Sequence, residues 1–191
     1  MSCIRRLSLI LAITTSIAYA QTSSNSPQQT TGSATHVPNS EIQAALAPLD
    51  TKPVADVVMR LIGINGEYNV GVSVVRRTKV DGKTPPDAVM HHEITEIYHV
   101  LEGNGILVTG GRIEGEKEFP PDSPVVRILV GPTSFGTAIA GGARQRVGPG
   151  DVVIIPPNTP HGFGEIISDH ITYLIVRVDP HRVVQESERR P

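Results

Sequence analysis

The stretch VADVVMRLIGINGEYNVGVSVVRR, residues 54–77, decides the architecture. In its second half Val70, Val72 and Val74 alternate with Gly71 and Ser73. That period of two places alternate side chains on opposite faces of a strand. The run from Val54 to Ile64 is strand-like as well. Between the two stands Asn65-Gly66, a pair that accepts the left-handed backbone of a tight turn and is a strong hairpin signal. The folded part of the chain therefore contains a long antiparallel hairpin.

Working outward from the hairpin, further short strands are predicted at Ala88 to His92, Glu96 to Leu101, Ile106 to Thr109, Val125 to Val130, Asp151 to Ile155, Gly162 to Ile167 and Ile171 to Val178. Gly and Pro punctuate nearly every junction, and alternating βαβ units are absent. The pattern implies an all-β antiparallel sandwich or barrel. The stretch from Gly110 to Gly148 is less regular. It holds Gly131-Pro132 and Gly141-Gly142, and long loops are expected there. Upstream, Ser40 reads as an N-cap, with Ile42, Ala45, Leu46 and Leu49 at helical spacing until Pro48 and Pro53 end the pattern. A short N-terminal helix at the edge of the domain follows.

The two ends carry other signals. Arg5 and Arg6 precede an apolar run from Leu7 to about Ile17 and the triplet Ala18-Tyr19-Ala20, the pattern of an export signal cleaved to leave Gln21. The run is about 11 residues, short of the roughly 20 that span a bilayer. The expected organisation is a signal peptide at 1–20, a flexible leader at 21–39 rich in Gln, Thr, Ser, Asn and Pro, one domain at 40–180 and an exposed tail at 181–191. The expected location is the periplasm or outside the cell. The one cysteine, Cys3, falls within the signal, so the mature chain has no disulfide and relies on an ordinary core. The chain has 17 basic and 19 acidic residues, and removal of the two signal arginines leaves 15 against 19, a net charge of −4. With no basic stripe and no tryptophan, nucleic acid and anionic membrane surfaces are excluded as expected partners.

Two stretches carry chemistry. From Gly150 to His161 the chain reads GDVVIIPPNTPH. This resembles the second motif of the cupin superfamily, G-x5-P-x-G-x2-H-x3-N, with Gly150, Pro156 and His161 in register. Asn158 stands in the glycine position, which Asn's tolerance of left-handed backbone permits, and Glu165 replaces the final Asn. From Met90 to Gly105 the chain reads MHHEITEIYHVLEGNG. This resembles the first motif, G-x5-H-x-H-x3,4-E-x6-G, since Glu96 and Gly103 have six residues between them. Three intervening residues before Glu96 give His92 as the second histidine, with Met90 in the partner position. Four give His91, with Val89 as partner. No spacing yields H-x-H. The resemblance spans roughly Ala88 to Val178 and implies a cupin-type jelly-roll β-barrel, and by analogy with its members a homodimer.

Alternation within the strand puts Glu96, Tyr98 and Val100 on one face and Ile97, His99 and Leu101 on the other. Glu96 would face the interior, where an unpaired carboxylate is costly. A divalent metal held by His161, Glu96 and one of His91 or His92 removes that cost and gives a two-histidine, one-carboxylate set that suits Fe, Mn, Ni, Co or Zn. The tighter spacing favours His92, and a bulge would let both histidines reach. The rival reading is a hydrogen-bonded polar cluster without metal. Tyr98, on the Glu96 face, is a candidate catalytic phenol beside Glu96. Phe163 is expected to line the same cavity, Glu165 to face inward by alternation, His99 to face outward, and Glu93 to be a solvated acid or an orienting partner of a histidine. The function implied is an exported cupin acting on a small organic molecule by dioxygenase, lyase or isomerase chemistry, with a non-catalytic ligand-binding cupin as the alternative and a self-pairing structural module as a third.

Overall fold

The structure, a computed structural model, describes residues 28–29, 33–47, 53–79 and 88–185. The predicted signal peptide lies outside the described residues. Of the predicted leader, Gln28–Gln29 forms a two-residue strand (β1) that pairs in parallel with Ile62 and Gly63.

The hairpin forms as read. Strands β2 (Val54–Ile64) and β3 (Tyr68–Thr78) pair antiparallel, and the turn between them has Asn65 and Gly66 at φ of 50° and 74°. Two consecutive positive φ values match the right-handed twist of the flanking strands. The register of β2 slips between Val58 and Arg60. This bulge leaves Met59 unpaired, and Met59 packs with Ile42 and Leu46 of helix α1 (Asn39–Leu46) on the outer face of the sheet. Arg60 follows it and grips Glu41 of the helix with Nη1 and Nη2 at 2.6 and 2.7 Å. The helix starts earlier than Ser40 predicts. Pro38, in extended backbone, takes the N-cap position, and its carbonyl accepts the Glu41 and Ile42 N–H groups, so Ser40 lies in the first turn.

The remaining elements are β4 (Ala88–His91), β5 (Thr95–Glu102), β6 (Gly105–Thr109), β7 (Arg112–Glu114), β8 (Lys117–Glu118), β9 (Thr133–Gly136), β10 (Ala138–Ala140), β11 (Ala143–Val147), β12 (Val152–Ile155), β13 (His161–Ile166) and β14 (His170–Asp179). They form two six-stranded sheets, ordered β1-β2-β3-β14-β5-β12 and β11-β6-β13-β4-β9-β8, with β7 and β10 as a separate pair. Among the described residues no ladder joins the two large sheets, so the jelly roll is a sandwich of two layers. The predicted long loops between Gly110 and Gly148 are largely strands too short to show periodicity.

One predicted strand is a helix. Val125–Val130 forms a single π-helical turn, although its β-branched run suits a strand. Pro124 enters it in right-handed helical backbone, the Ser123 carbonyl accepts the Arg127 N–H, and Gly131, at φ 65°, closes the turn by donating to the Val126 carbonyl. The predicted tail is also partly folded. The Asp179 carboxylate accepts the N–H groups of Val183 and Val184, Val184 is buried, and the Gln185 N–H reaches the Arg127 carbonyl at 2.7 Å. The π-turn and residues 181–185 together cover one end of the interior.

The other end is apolar. Leu107, Phe163, Ile166, Ile171 and Tyr173 pack there with Tyr98, Val100 and Ile175. Each such side chain contributes about 1.5–3 kcal/mol by leaving water.

Candidate functional site

Three chain segments bring the site together. His91 is the last residue of β4, Glu96 the second of β5, and His161 the first of β13. All three are buried, and one ligand atom from each lies within 4.8 Å of the others. His91 Nε2 is 3.5 Å from Glu96 Oε1 and His161 Nε2 is 3.4 Å from Oε2.

The far side of each ring fixes its tautomer. Thr133, the cross-strand partner of His91, donates its hydroxyl proton to the Gly131 carbonyl at 2.9 Å. The Thr133 oxygen therefore accepts from His91 Nδ1–H, also at 2.9 Å. His161 Nδ1 donates to the Thr159 carbonyl at 2.9 Å. In their neutral form both rings thus turn an Nε2 lone pair toward the carboxylate. Burial pushes the His91 imidazole below its ordinary range despite the pull of Glu96. His161 Nε2 makes no hydrogen bond among the described residues. Two lone pairs facing a carboxylate are repulsive unless a cation stands among them. The donor set and this orphaned nitrogen fit a divalent metal held by His91, Glu96 and His161.

The structure corrects the sequence argument on two points. First, Glu96 is not unpaired. Arg177 of β14, its cross-strand neighbour, donates Nε–H to Glu96 Oε1 at 2.8 Å, and Tyr98 donates its hydroxyl to Oε2 at 2.8 Å. Burial by itself raises a carboxyl pKa, but His91 whenever its ring is protonated, and Arg177 at all times, outweigh it and hold Glu96 well below the usual carboxylate range. Arg177 also donates Nη2 to Asp56 at 2.5 Å and Nη1 to Ser73 at 2.9 Å. Two acids around one guanidinium still leave one negative charge for a metal to balance. Burial, reinforced by the Glu96 charge, raises the Tyr98 phenol well above its ordinary value, so Tyr98 keeps its proton and directs it at Glu96.

Second, the histidine of the tighter spacing is not in the cluster. β4 ends at His91, and the chain leaves the strand over 92–94, so the four-residue spacing applies. His92 turns outward, its Nε2 3.2 Å from both Glu118 oxygens and 3.1 Å from Ser134 Oγ, and its Nδ1 3.0 Å from Asn158 Oδ1. Val89, the partner position of His91, stands directly opposite His161. The position of the family's other histidine is thus filled by an apolar side chain.

Other candidates fall as follows. His99 is exposed. Phe163 packs in the apolar end, with the Arg77 guanidinium over its ring. Glu165 does not share the His161 face, because the β13 register shifts between Phe163 and Glu165 and turns Ile166 into the core instead. Arg177 and Asp56 were missed. Their signal is a lone charge in each of the apolar runs ITYLIVRV and VADVV. Asn158 does more than tolerate a glycine position. At φ 59° it donates its N–H to the His91 carbonyl at 2.8 Å and its Nδ2 to the His92 carbonyl at 3.3 Å, which joins the two motif loops.

The fold, two layered antiparallel sheets around a buried His-Glu-His cluster, is of the cupin type. Residues 136–191 match the family model of the AraC-like ligand-binding domain. Among solved structures, the chain is similar to the DMSP lyase DddQ from Ruegeria pomeroyi DSS-3, with 16% identity and a TM-score of 0.42 over 71% of this chain and 51% of that chain. It is also similar to a Bacillus halodurans protein, BH2720, with 11% identity and a TM-score of 0.44 over 81% and 88% of the two chains. A third is KdgF from Halomonas sp., with 16% identity and a TM-score of 0.37 over 68% and 81%. The chain spans about half the length of the lyase. No curated protein matches the sequence. No helix among the described residues is long and apolar enough to cross a membrane.

Proposed function

We propose that this is an exported cupin-type protein that holds one divalent metal through His91, Glu96 and His161 and uses it on a small organic molecule. The observation that carries the reading is the pair of buried Nε2 lone pairs, oriented by Thr133 and Thr159, that converge on one carboxylate. The ligand-binding character of the matched family model supports a small molecule as its partner. A bound divalent ion supplies Lewis acidity toward a ligand oxygen, on which lyase, isomerase and dioxygenase reactions can all draw. Nitrogen and oxygen donors of this kind suit Fe, Mn, Ni, Co or Zn. Around it, Arg177 and Tyr98 keep Glu96 ionised and fixed in place, and the two threonines hold the imidazoles in the ligating tautomer.

Export rests on the pattern of residues 1–20, and N-terminal sequencing of the mature protein is expected to start at Gln21. Pairing of two copies is supported by Val152 and Ile154, 61% and 65% exposed on the open edge strand β12. Light scattering should show a dimer that Ile154→Asp dissociates.

A second reading, a pocket protein without catalysis or metal, is favoured by one observation: Arg177 and Tyr98 already engage both Glu96 oxygens. Elemental analysis of the purified full chain separates the two. One equivalent of metal is expected, lost in His91→Ala and His161→Ala and kept in His92→Ala and His99→Ala. Equal loss in His92→Ala, or no metal in the unsubstituted protein, overturns the metal reading.

A further inference from the structure

Residues 181–185 form a strap that is gripped at both ends. At its root the buried Asp179 carboxylate accepts the Val183 and Val184 N–H groups, and the buried Asn69 amide donates to that carboxylate and to the Val184 carbonyl, each at 3.2 Å. At its far end Gln185 meets Arg127 of the π-turn twice. Its N–H donates to the Arg127 carbonyl at 2.7 Å, and its Oε1 accepts from Arg127 Nη2 at 3.1 Å. Between the grips Val183 lies against Gly131. A Cβ at Gly131 would stand 2.6 Å from Val183 Cγ2 and 3.6 Å from Ile94 Cγ1, so these two side chains hold the Gly131 backbone in place.

The Gly131 carbonyl decides which way a proton points. The Thr133 hydroxyl has a single proton. While that carbonyl takes it at 2.9 Å, His91 Nδ1 must donate to a Thr133 lone pair, and Nε2 stays bare. If the carbonyl withdraws, the buried Thr133 hydroxyl keeps one acceptor within reach, His91 Nδ1 itself. The ring proton then moves to Nε2, which faces Glu96 Oε1 at 3.5 Å and gains an acceptor there. The two arrangements carry the same number of protons, and only the first offers Nε2 to a metal.

We infer that Val183 is a positioning residue for His91. Pressed on Gly131, it keeps the Thr133 proton directed away from the ring and so holds His91 in the tautomer that ligates through Nε2. The inference rests on the metal-site reading only for what the bare nitrogen serves.

The test uses the full chain, chelator-treated and labelled with nitrogen-15 at histidine. Long-range proton–nitrogen spectra identify the tautomer of each ring, and His91→Gln assigns the signals. The unsubstituted chain is expected to show His91 protonated at Nδ1. Val183→Ala, which removes the methyl against Gly131, is expected to bring in the Nε2–H tautomer, and Val183→Ile, which keeps that methyl, to retain Nδ1–H. In metal titrations Val183→Ala is expected to weaken binding about tenfold, the usual effect of losing a partner behind a metal ligand. In a Thr133→Val background the same substitution is expected to change affinity less than about twofold, because the hydroxyl it acts through is gone. A general loosening of the fold would weaken binding equally in both backgrounds. That result, or a His91 tautomer indifferent to Val183→Ala, overturns the inference. Tautomer control in a chain that binds no metal sinks the metal centre alone, and metal binding with the tautomer unmoved sinks the role of Val183 alone.

Discussion

The two ends of the interior are made from the same strands by opposite means. β14 turns Ile171, Tyr173 and Ile175 into the apolar end and then Arg177 and Asp179 into the polar one, while β5 contributes Val100 and Tyr98 and then Glu96. Strand alternation aims all of these side chains alike. What holds them differs. The apolar end is stabilised by area removed from water, which any well-fitting hydrocarbon supplies. The polar end is stable only while each charge keeps its partner, because a lone buried ion costs several kcal/mol. One end tolerates approximate substitutes, and the other does not.

Removing the guanidinium is the strongest attempt to break this comparison. Arg177→Met keeps most of the side-chain length but leaves Glu96 and Asp56 buried or half-buried without their cation. A loss of about 3–5 kcal/mol in urea unfolding is expected. At the apolar end, Ile166→Ala removes a fully buried side chain and is expected to cost about 2–4 kcal/mol with metal content unchanged. If Arg177→Met proves milder than Ile166→Ala, pairing is not what sustains the polar end.

The apolar end was legible in the sequence because it depends on a period, and a period survives without knowledge of partners. The hairpin, the inward face of Glu96, Tyr98 and Val100, and the outward turn of His99 all followed from alternation. The polar end was half legible. Glu96 and His161 were found from motif spacing, but the choice between His91 and His92 turned on where β4 stops, and no period encodes a strand end. Glu165 failed for the same reason, since the irregularity after Phe163 resets the faces. Arg177 lies 81 positions from Glu96, and only the β5–β14 register brings them side by side. The Val125–Val130 turn misled because its composition suits a strand, while its conformation is set by Pro124 before it and Gly131 after it.

The smallest expected change in stability offers the sharpest distinction between the two ends. Asn158→Gly keeps the left-handed backbone open to the chain and removes only the side-chain bonds to His92, all of them near the surface. Unfolding should therefore shift by less than about 1 kcal/mol. Metal affinity should respond more, because the 156–160 loop is bonded to the strand end that carries His91, and partners behind a metal ligand are worth about tenfold or more in affinity. Titration of metal into the chelator-treated protein, set beside its urea curve, measures both. A fall in affinity with stability nearly intact would show that position is the scarce quantity at the polar end. Unchanged affinity would show instead that Thr133 alone suffices to aim His91.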